Sequence, residues 1–244
     1  MSANILCSLG RHDARAALDV VLASRPDLVA LQEWGVSRRR LLRAAGYVWV
    51  APLWGGCPVG ARTARFEPAG SRIRVLGWWG WADRGARPVP LMPPRVATVA
   101  RFRDALTGTT VSVVSFHLTP GVQSGGLYRE DRPRLAARHR SEVRRLRRVV
   151  QRELALGHVV HAAGDSNFDG LRLPGLTSAW EGREDRPGTL GSHRKIDDVH
   201  GPGPAASVTL LTSASDHKAV LVRRRDATVG VASGLLRPGG RPAS

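Results

Sequence analysis

Apolar runs of strand length recur along this chain and stop abruptly at polar clusters. The most informative is His158-Val-Val-His-Ala-Ala-Gly-Asp-Ser-Asn-Phe-Asp169, an apolar segment ending in two acids and an amide. Such a run followed by Gly164 reads as a buried strand, with the glycine expected to allow a tight turn. Asp165 and Asn167, two residues apart in an extended segment, would share one side of the chain. Alone, the cluster also reads as an ordinary turn, because Gly, Asp, Ser and Asn dominate turns. Three other apolar runs end in the same manner: Pro26 to Glu33, Val111 to Leu118 and Lys195 to Val199. A fifth cluster, Ser215-Asp-His217, opens the last strand. One such strand end is a turn; five point to a site.

The remaining periodicity fills in a layered α/β arrangement. A short strand is expected over Ala3–Ser8, a helix over Asp13–Ser24 with Pro26 as its stop, and a strand over Leu28–Leu31 that delivers Gln32 and Glu33. Arg38–Ala45 reads as a short helix and Tyr47–Ala51 as a strand. The runs Val59–Phe66 and Arg72–Gly77 look like hairpin strands, and Arg95–Arg103 with Thr109–Leu118 is a clearer hairpin closed by Gly108. Arg132–Leu156 has the 3.6-residue period of a long helix, with Leu135, Val143, Leu146, Val149, Val150 and Leu154 on one stripe and arginines on the other. Val208–Leu211 and Ala219–Val222 form the last hairpin. From about Asp226 onward the composition reads as a disordered tail, so the domain is placed at 1–225 and the tail at 226–244.

At 244 residues and 42% hydrophobic content the chain can bury one large core. It has no stretch of about eighteen apolar residues, so a transmembrane helix is not expected. A secretory signal is not evident at the N-terminus, and a cytoplasmic location is the expectation. Cys7 and Cys57 are the only cysteines, too few for a disulfide scaffold and without metal-binding spacing. The formal net charge of +17 favours nucleic acid or another phosphorylated polyanion as partner. Only Lys195 and Lys218 are lysines, however, and so lopsided a ratio also arises from codon bias. Trp78-Trp-Gly-Trp81 could stack bases or touch lipid, but packing beneath loops is the commoner fate of such residues and is the expectation here.

Taken together, Gln32-Glu33, Phe116-His117, Gly164-Asp-Ser-Asn167, Ile196-Asp197 and Ser215-Asp-His217 occur in the order and spacing of the endonuclease/exonuclease/phosphatase superfamily, which the chain resembles from about Ile5 to Val222. The resemblance implies a four-layered α/β sandwich, two mixed β-sheets flanked by helices, with the site where the strand ends converge. It implies a divalent-metal-dependent phosphoesterase, with Mg²⁺ (or Mn²⁺) held by Glu33 and assisted by Asp216. It also implies roles for Asp165 and Asn167 in handling the attacking water and phosphate oxygens. His217 would contact the scissile phosphate with Asp197 orienting its ring, and His117 would donate to the phosphate or protonate the leaving oxygen. Asp198, on the opposite side of its strand, is a weaker candidate. Nuclease activity is the leading reading, with a phospholipid or phosphoinositide phosphoesterase and a degenerate nucleic-acid-binding member as alternatives; a monomer is the expected state. One departure is expected: aligned by its apolar residues, the first strand carries Ser8 or Leu9 where the family places an asparagine, and Asn4 lies too early.

Overall fold

The computed structural model describes residues 1–43, 46–53, 56–84, 87–184 and 187–224. The expected tail, 226–244, lies outside the described residues, as does Trp54. In chain order the elements are β1 Ser2–Asn4, α1 Arg11–Ala23, β2 Leu28–Gln32, a 3-10 segment Val36–Leu42, β3 Tyr47–Val50, β4 Val59–Arg62, β5 Phe66–Gly77, β6 Gly80–Arg84 and β7 Arg87–Met92. There follow β8 Arg95–Asp104, β9 Thr110–His117, β10 Gln123–Ser124, β11 Leu127–Tyr128, α2 Pro133–Ala155, β12 Val159–Asp165, β13 Asp197–His200, β14 Ser207–Leu211 and β15 Ala219–Arg223.

Two mixed sheets form the body. The first has the order β14-β15-β1-β2-β4-β3, with β1 and β2 parallel and its other pairs antiparallel. The second has the order β13-β12-β9-β8-β5, with β12 and β9 parallel. Ala14, Ala17, Leu18 and Val21 recur at helical spacing and bury α1 against the outer face of the first sheet, on Ala3, Val29 and Leu31. Leu146 and Val150 of α2 do the same for the second sheet, on Val114, Phe116, Val160 and Ala162. Between the sheets lie Val59, Ala61, Phe102, Val111 and Val113. The result is the expected four-layered α/β sandwich.

Two strand expectations are corrected. Val59–Arg62 and Phe66–Gly77 are not hairpin partners: β4 pairs with β2 and β3, β5 pairs with β8, and the intervening turn carries the chain from one sheet to the other. Short β-like runs close in sequence fit a hairpin or a sheet crossing equally well, and only tertiary pairing separates the two. The first strand stops at Asn4, because Leu6 to Leu9 form a loop pinned by Arg38. That arginine, expected to open a short helix, is buried and donates to the carbonyls of Ile5, Leu6, Cys7 and Leu9.

Helix α2 carries three polar residues on its buried stripe, and each one ties the helix to the sheet. His139 donates through Nε2 to the carbonyl of Ser166 at 2.7 Å. Glu142 accepts from the backbone and hydroxyl of Thr119, both at 2.8 Å. Glu153 accepts two bonds from Arg101, at 2.8 and 2.7 Å, and one from Ser112. Although burial pushes the Glu153 carboxyl up, its bonds to Arg101, Ser112 and His158 prevail and hold it at about 2. A carboxylate depressed in the folded state stabilises fully above its ordinary value of 4.5, and that contribution disappears as the pH falls through the folded value. Glu153→Gln is therefore expected to cost about 3 kcal/mol in urea denaturation at pH 7. The gap between variant and parent should narrow steadily as the pH falls from 4.5 towards 2; a constant gap would show that Glu153 acts by packing alone.

Candidate active site

The inner faces of both sheets change from apolar to polar toward one end. Because side chains alternate along a strand, Val113, Ser115 and His117 of β9 share the face that meets the first sheet, as do Ala163 and Asp165 of β12. Across the gap, Ser2 donates to Gln32 at 3.2 Å, Gln32 to Ser115 at 3.3 Å, and Ser115 to the carbonyl of Leu31 at 2.9 Å. This buried polar column leads directly to the strand ends.

At its end stand Asp165 and Asp197, facing each other in the antiparallel register of β12 and β13, each 1% exposed. Like charges opposite each other on adjacent strands destabilise a sheet, and burial raises the cost. His217 relieves it: its Nδ1–H donates to Asp197 at 2.8 Å. Burial pulls the His217 imidazole down, but the bond to Asp197 and the charges of Asp197, Asp165 and Asp216 outweigh it and push it to about 9. Burial and the Asp197 charge push Asp165 well above the usual carboxylate range.

Asp165 is held on three sides. Asn4 Nδ2 donates to it at 3.0 Å, the backbone N–H of Asn167 at 2.7 Å, and His117 Nε2 lies 3.4 Å away. Asn167 itself turns away from the strand line: its φ of 51° is the left-handed region, and its side-chain amide donates to Leu118 at 3.1 Å. The reversal thus falls on Asn167, not on Gly164. Gly164 instead lies inside β12, where a Cβ would come within 2.0 Å of the Phe116 carbonyl oxygen. It permits close approach of β12 to β9.

Glu33 follows β2 with φ 57°, a conformation that costs a non-glycine residue roughly 1–2 kcal/mol. The reciprocal backbone bonds of Trp34 and Gly56 fix it. Its carboxylate accepts from Cys7 N–H at 3.0 Å and Asn4 Nδ2 at 3.4 Å, and lies 4.0 Å from His117 Nε2. Burial first, then Arg95 and His217, hold His117 well below its ordinary value. Arg95 Nη1 is 3.3 Å from His117 Nδ1; since a guanidinium only donates, Nδ1 accepts and Nε2 carries the proton.

Six of the seven residues expected at the site, Glu33, His117, Asp165, Asn167, Asp197 and His217, therefore meet at one mouth. Asp216 is exposed and bonds to Ser215. Asp198 points the other way, accepting from Ser178 at 2.6 Å and from Ala179. The expected absence of a first-strand asparagine is overturned. Asn4 ends β1, bridges Glu33 and Asp165, and occupies the place that Ser8 and Leu9 do not reach, because the strand is three residues long and aligning by its apolar run shifts the register. Thr189 was not legible either: its hydroxyl accepts from the backbone N–H groups of Ile196 and Asp197, and no sequence pattern marks it.

The donor set suits a hard cation. Asp165, Asp197 and His217 each offer a ligand atom within 4.8 Å of the others. Two buried oxygens, Asn4 Oδ1 and Asp197 Oδ1, have no hydrogen-bond partner, and Asn4 Oδ1 belongs to the amide that bridges Glu33 and Asp165. Such a donor set could hold a divalent metal ion. The two cysteines are free, Cys7 exposed and Cys57 buried, and burial first pushes the Cys57 thiol up to about 12.

No family model and no curated protein sequence matches the chain. Solved structures do. The endonuclease/exonuclease/phosphatase of Bacteroides vulgatus superposes with a TM-score of 0.67 at 18% identity, covering 91% of this chain and 95% of that one. D. rerio TDP2 complexed with single strand DNA product gives 0.64 at 17%, covering 91% and 96%. The mannosyl-6-phosphatase Bt3783 of Bacteroides thetaiotaomicron gives 0.64 at 16%, covering 91% and 97%. Architecture, strand-end geometry and these superpositions agree: the chain has the endonuclease/exonuclease/phosphatase fold.

Proposed function

We propose that the protein is a divalent-metal-dependent phosphoesterase that hydrolyses phosphodiester bonds in nucleic acid. The observation that carries this reading is the Asp165–Asp197–His217 cluster, buried at one mouth with Asn4, His117 and Glu33 around it. Similar folds carry hydrolytic names, and one of them was solved with single strand DNA product. The positive charge of the chain favours a polyanionic substrate. Among the described residues no helix is long and apolar enough to cross a membrane.

Mg²⁺ or Mn²⁺, held by Glu33 with Asn4 Oδ1 beside it, would supply charge neutralisation on the phosphate. The protein's own groups do the rest. Asp165 accepts the proton of the attacking water; its burial beside Asp197 makes it a stronger base than an exposed carboxylate. Asn4 and the Asn167 N–H keep that carboxylate in one orientation. His217 commits Nδ1–H to Asp197, which leaves Nε2–H for a phosphate oxygen. Negative charge on the phosphoryl oxygens is thereby met by a fixed imidazolium. His117, with Nδ1 facing Arg95, presents its Nε2–H from the other side. Water then attacks phosphorus in line as the opposite P–O ester bond breaks; the water's proton passes to Asp165 and the leaving oxygen takes up a proton from solvent.

Hydrolysis of plasmid DNA, single-stranded DNA, RNA, a diester chromophore and phosphoinositides, with Mg²⁺, Mn²⁺ or EDTA, tests the reading. The expected result is metal-dependent cleavage of nucleic acid, lowered at least about 10³-fold in Asp165→Asn and His217→Ala. A folded protein that cleaves none of these substrates would refute it, and preference for phosphoinositides would move it to the lipid class. Asn4→Ala should lower kcat about 10²-fold, because the Asp165 carboxylate loses a positioning donor. Ser8→Ala, on an exposed loop residue, should stay within about twofold. Equal effects of the two substitutions in steady-state kinetics would remove Asn4 from the site.

A further inference from the structure

The three tryptophans expected beneath loops are on the surface. Trp78, Trp79 and Trp81 are 65%, 58% and 65% exposed. Among the described residues, none of the three rings has an aromatic or guanidinium partner. Exposing three large rings in four residues is costly in water and marks a binding surface.

Their place in the fold says what they face. β5 ends at Gly77, which pairs with Arg95, and Arg95 touches His117 of the catalytic cluster. The tryptophans thus continue directly from the mouth edge of the second sheet. In the order β12-β9-β8-β5, three strand spacings separate Asp165 from Gly77, roughly 14 Å. Arginines also lie beside them, tied into the fold: Arg145 donates to the carbonyl of Leu76, and Arg138, whose Nη1 lies 3.5 Å from where a Cβ on Gly80 would stand, pairs with Glu142 and donates to Pro93. Arg95 Nε is buried without a hydrogen-bond partner. The nearby acids are already engaged, Asp83 with the first N–H groups of α2 and Glu142 with Thr119 and Arg138.

We propose that Trp78, Trp79 and Trp81 form a stacking platform for unpaired bases of a single-stranded nucleic acid whose backbone runs from the catalytic cluster past Arg95. This rests on the phosphodiesterase reading for what lies at the cluster. Open aromatic faces beside arginines are the chemistry that holds single strands without sequence preference. A lipid surface is the lesser fit: the rings continue from the sheet edge at Gly77, which pairs with Arg95 beside the strand-end cluster, where a polyanionic strand would run.

The test is binding in EDTA, without turnover, followed by anisotropy of a labelled DNA homopolymer, with inorganic polyphosphate and phosphatidylglycerol-containing vesicles as parallel arms. Each Trp→Ala substitution should weaken the single strand about tenfold and the triple variant about a hundredfold or more. Trp→Phe at the same positions should recover most of the loss, and polyphosphate affinity should stay within about twofold, since it reads charge alone. Unchanged single-strand affinity in the triple variant would overturn the proposal. So would a tryptophan-dependent affinity for vesicles in place of the oligonucleotide. A parent protein that binds the strand through its tryptophans yet cleaves no phosphodiester would sustain the platform while refuting the hydrolase.

Discussion

Two carboxylates set opposite each other on adjacent strands, both buried, are the constraint around which this molecule is built. Nothing in sheet formation rewards placing Asp165 across from Asp197; the pairing is tolerated because an imidazolium bonds to one and an amide and a backbone N–H bond to the other. Each compensating group comes from a different part of the chain. Asn4 arrives on the first strand, Asn167 from the turn after β12, and His217 from the start of the last strand. The site therefore exists only when the two sheets are stacked, and the polar column through Ser2, Gln32 and Ser115 holds that stacking where an apolar core would leave it free to slide.

The helices serve the same end. α2 buries His139 and Glu142 in an otherwise apolar stripe, and these bond to Ser166 and Thr119, the residues just beyond Asp165 and His117. A stripe of leucines would cover the sheet equally well but could not fix the loops that leave it. Strain is stored at the strand-end cluster, at the left-handed Glu33 and Asn167, and the surrounding bonds over-determine both.

Much of this was legible in the sequence. Strands ending in acids, amides and histidines announce themselves by period and by abrupt change of polarity, and the fold brings Glu33, His117, Asp165, Asp197 and His217 to one mouth, with Asn167 joining them through its backbone N–H. Asn4 was missed because a three-residue strand has too little period to fix its register, and the apolar Ile5 and Leu6 after it mimic strand residues although they begin a loop. The role of Arg38 was not legible, since no local pattern distinguishes an arginine in solvent from one gathering four backbone carbonyls. The tryptophans depart from the general expectation for their type: all three are on the surface.

Anomalous diffraction from crystals grown with Mn²⁺ would test the central claim most directly. If the strand-end cluster is a metal-assisted phosphoester site, the strongest peak lies at the mouth between the sheets, about 2.2 Å from a Glu33 carboxylate oxygen. A peak confined to surface acids such as Asp216, with none near Glu33, Asp165 or Asp197, would contradict it.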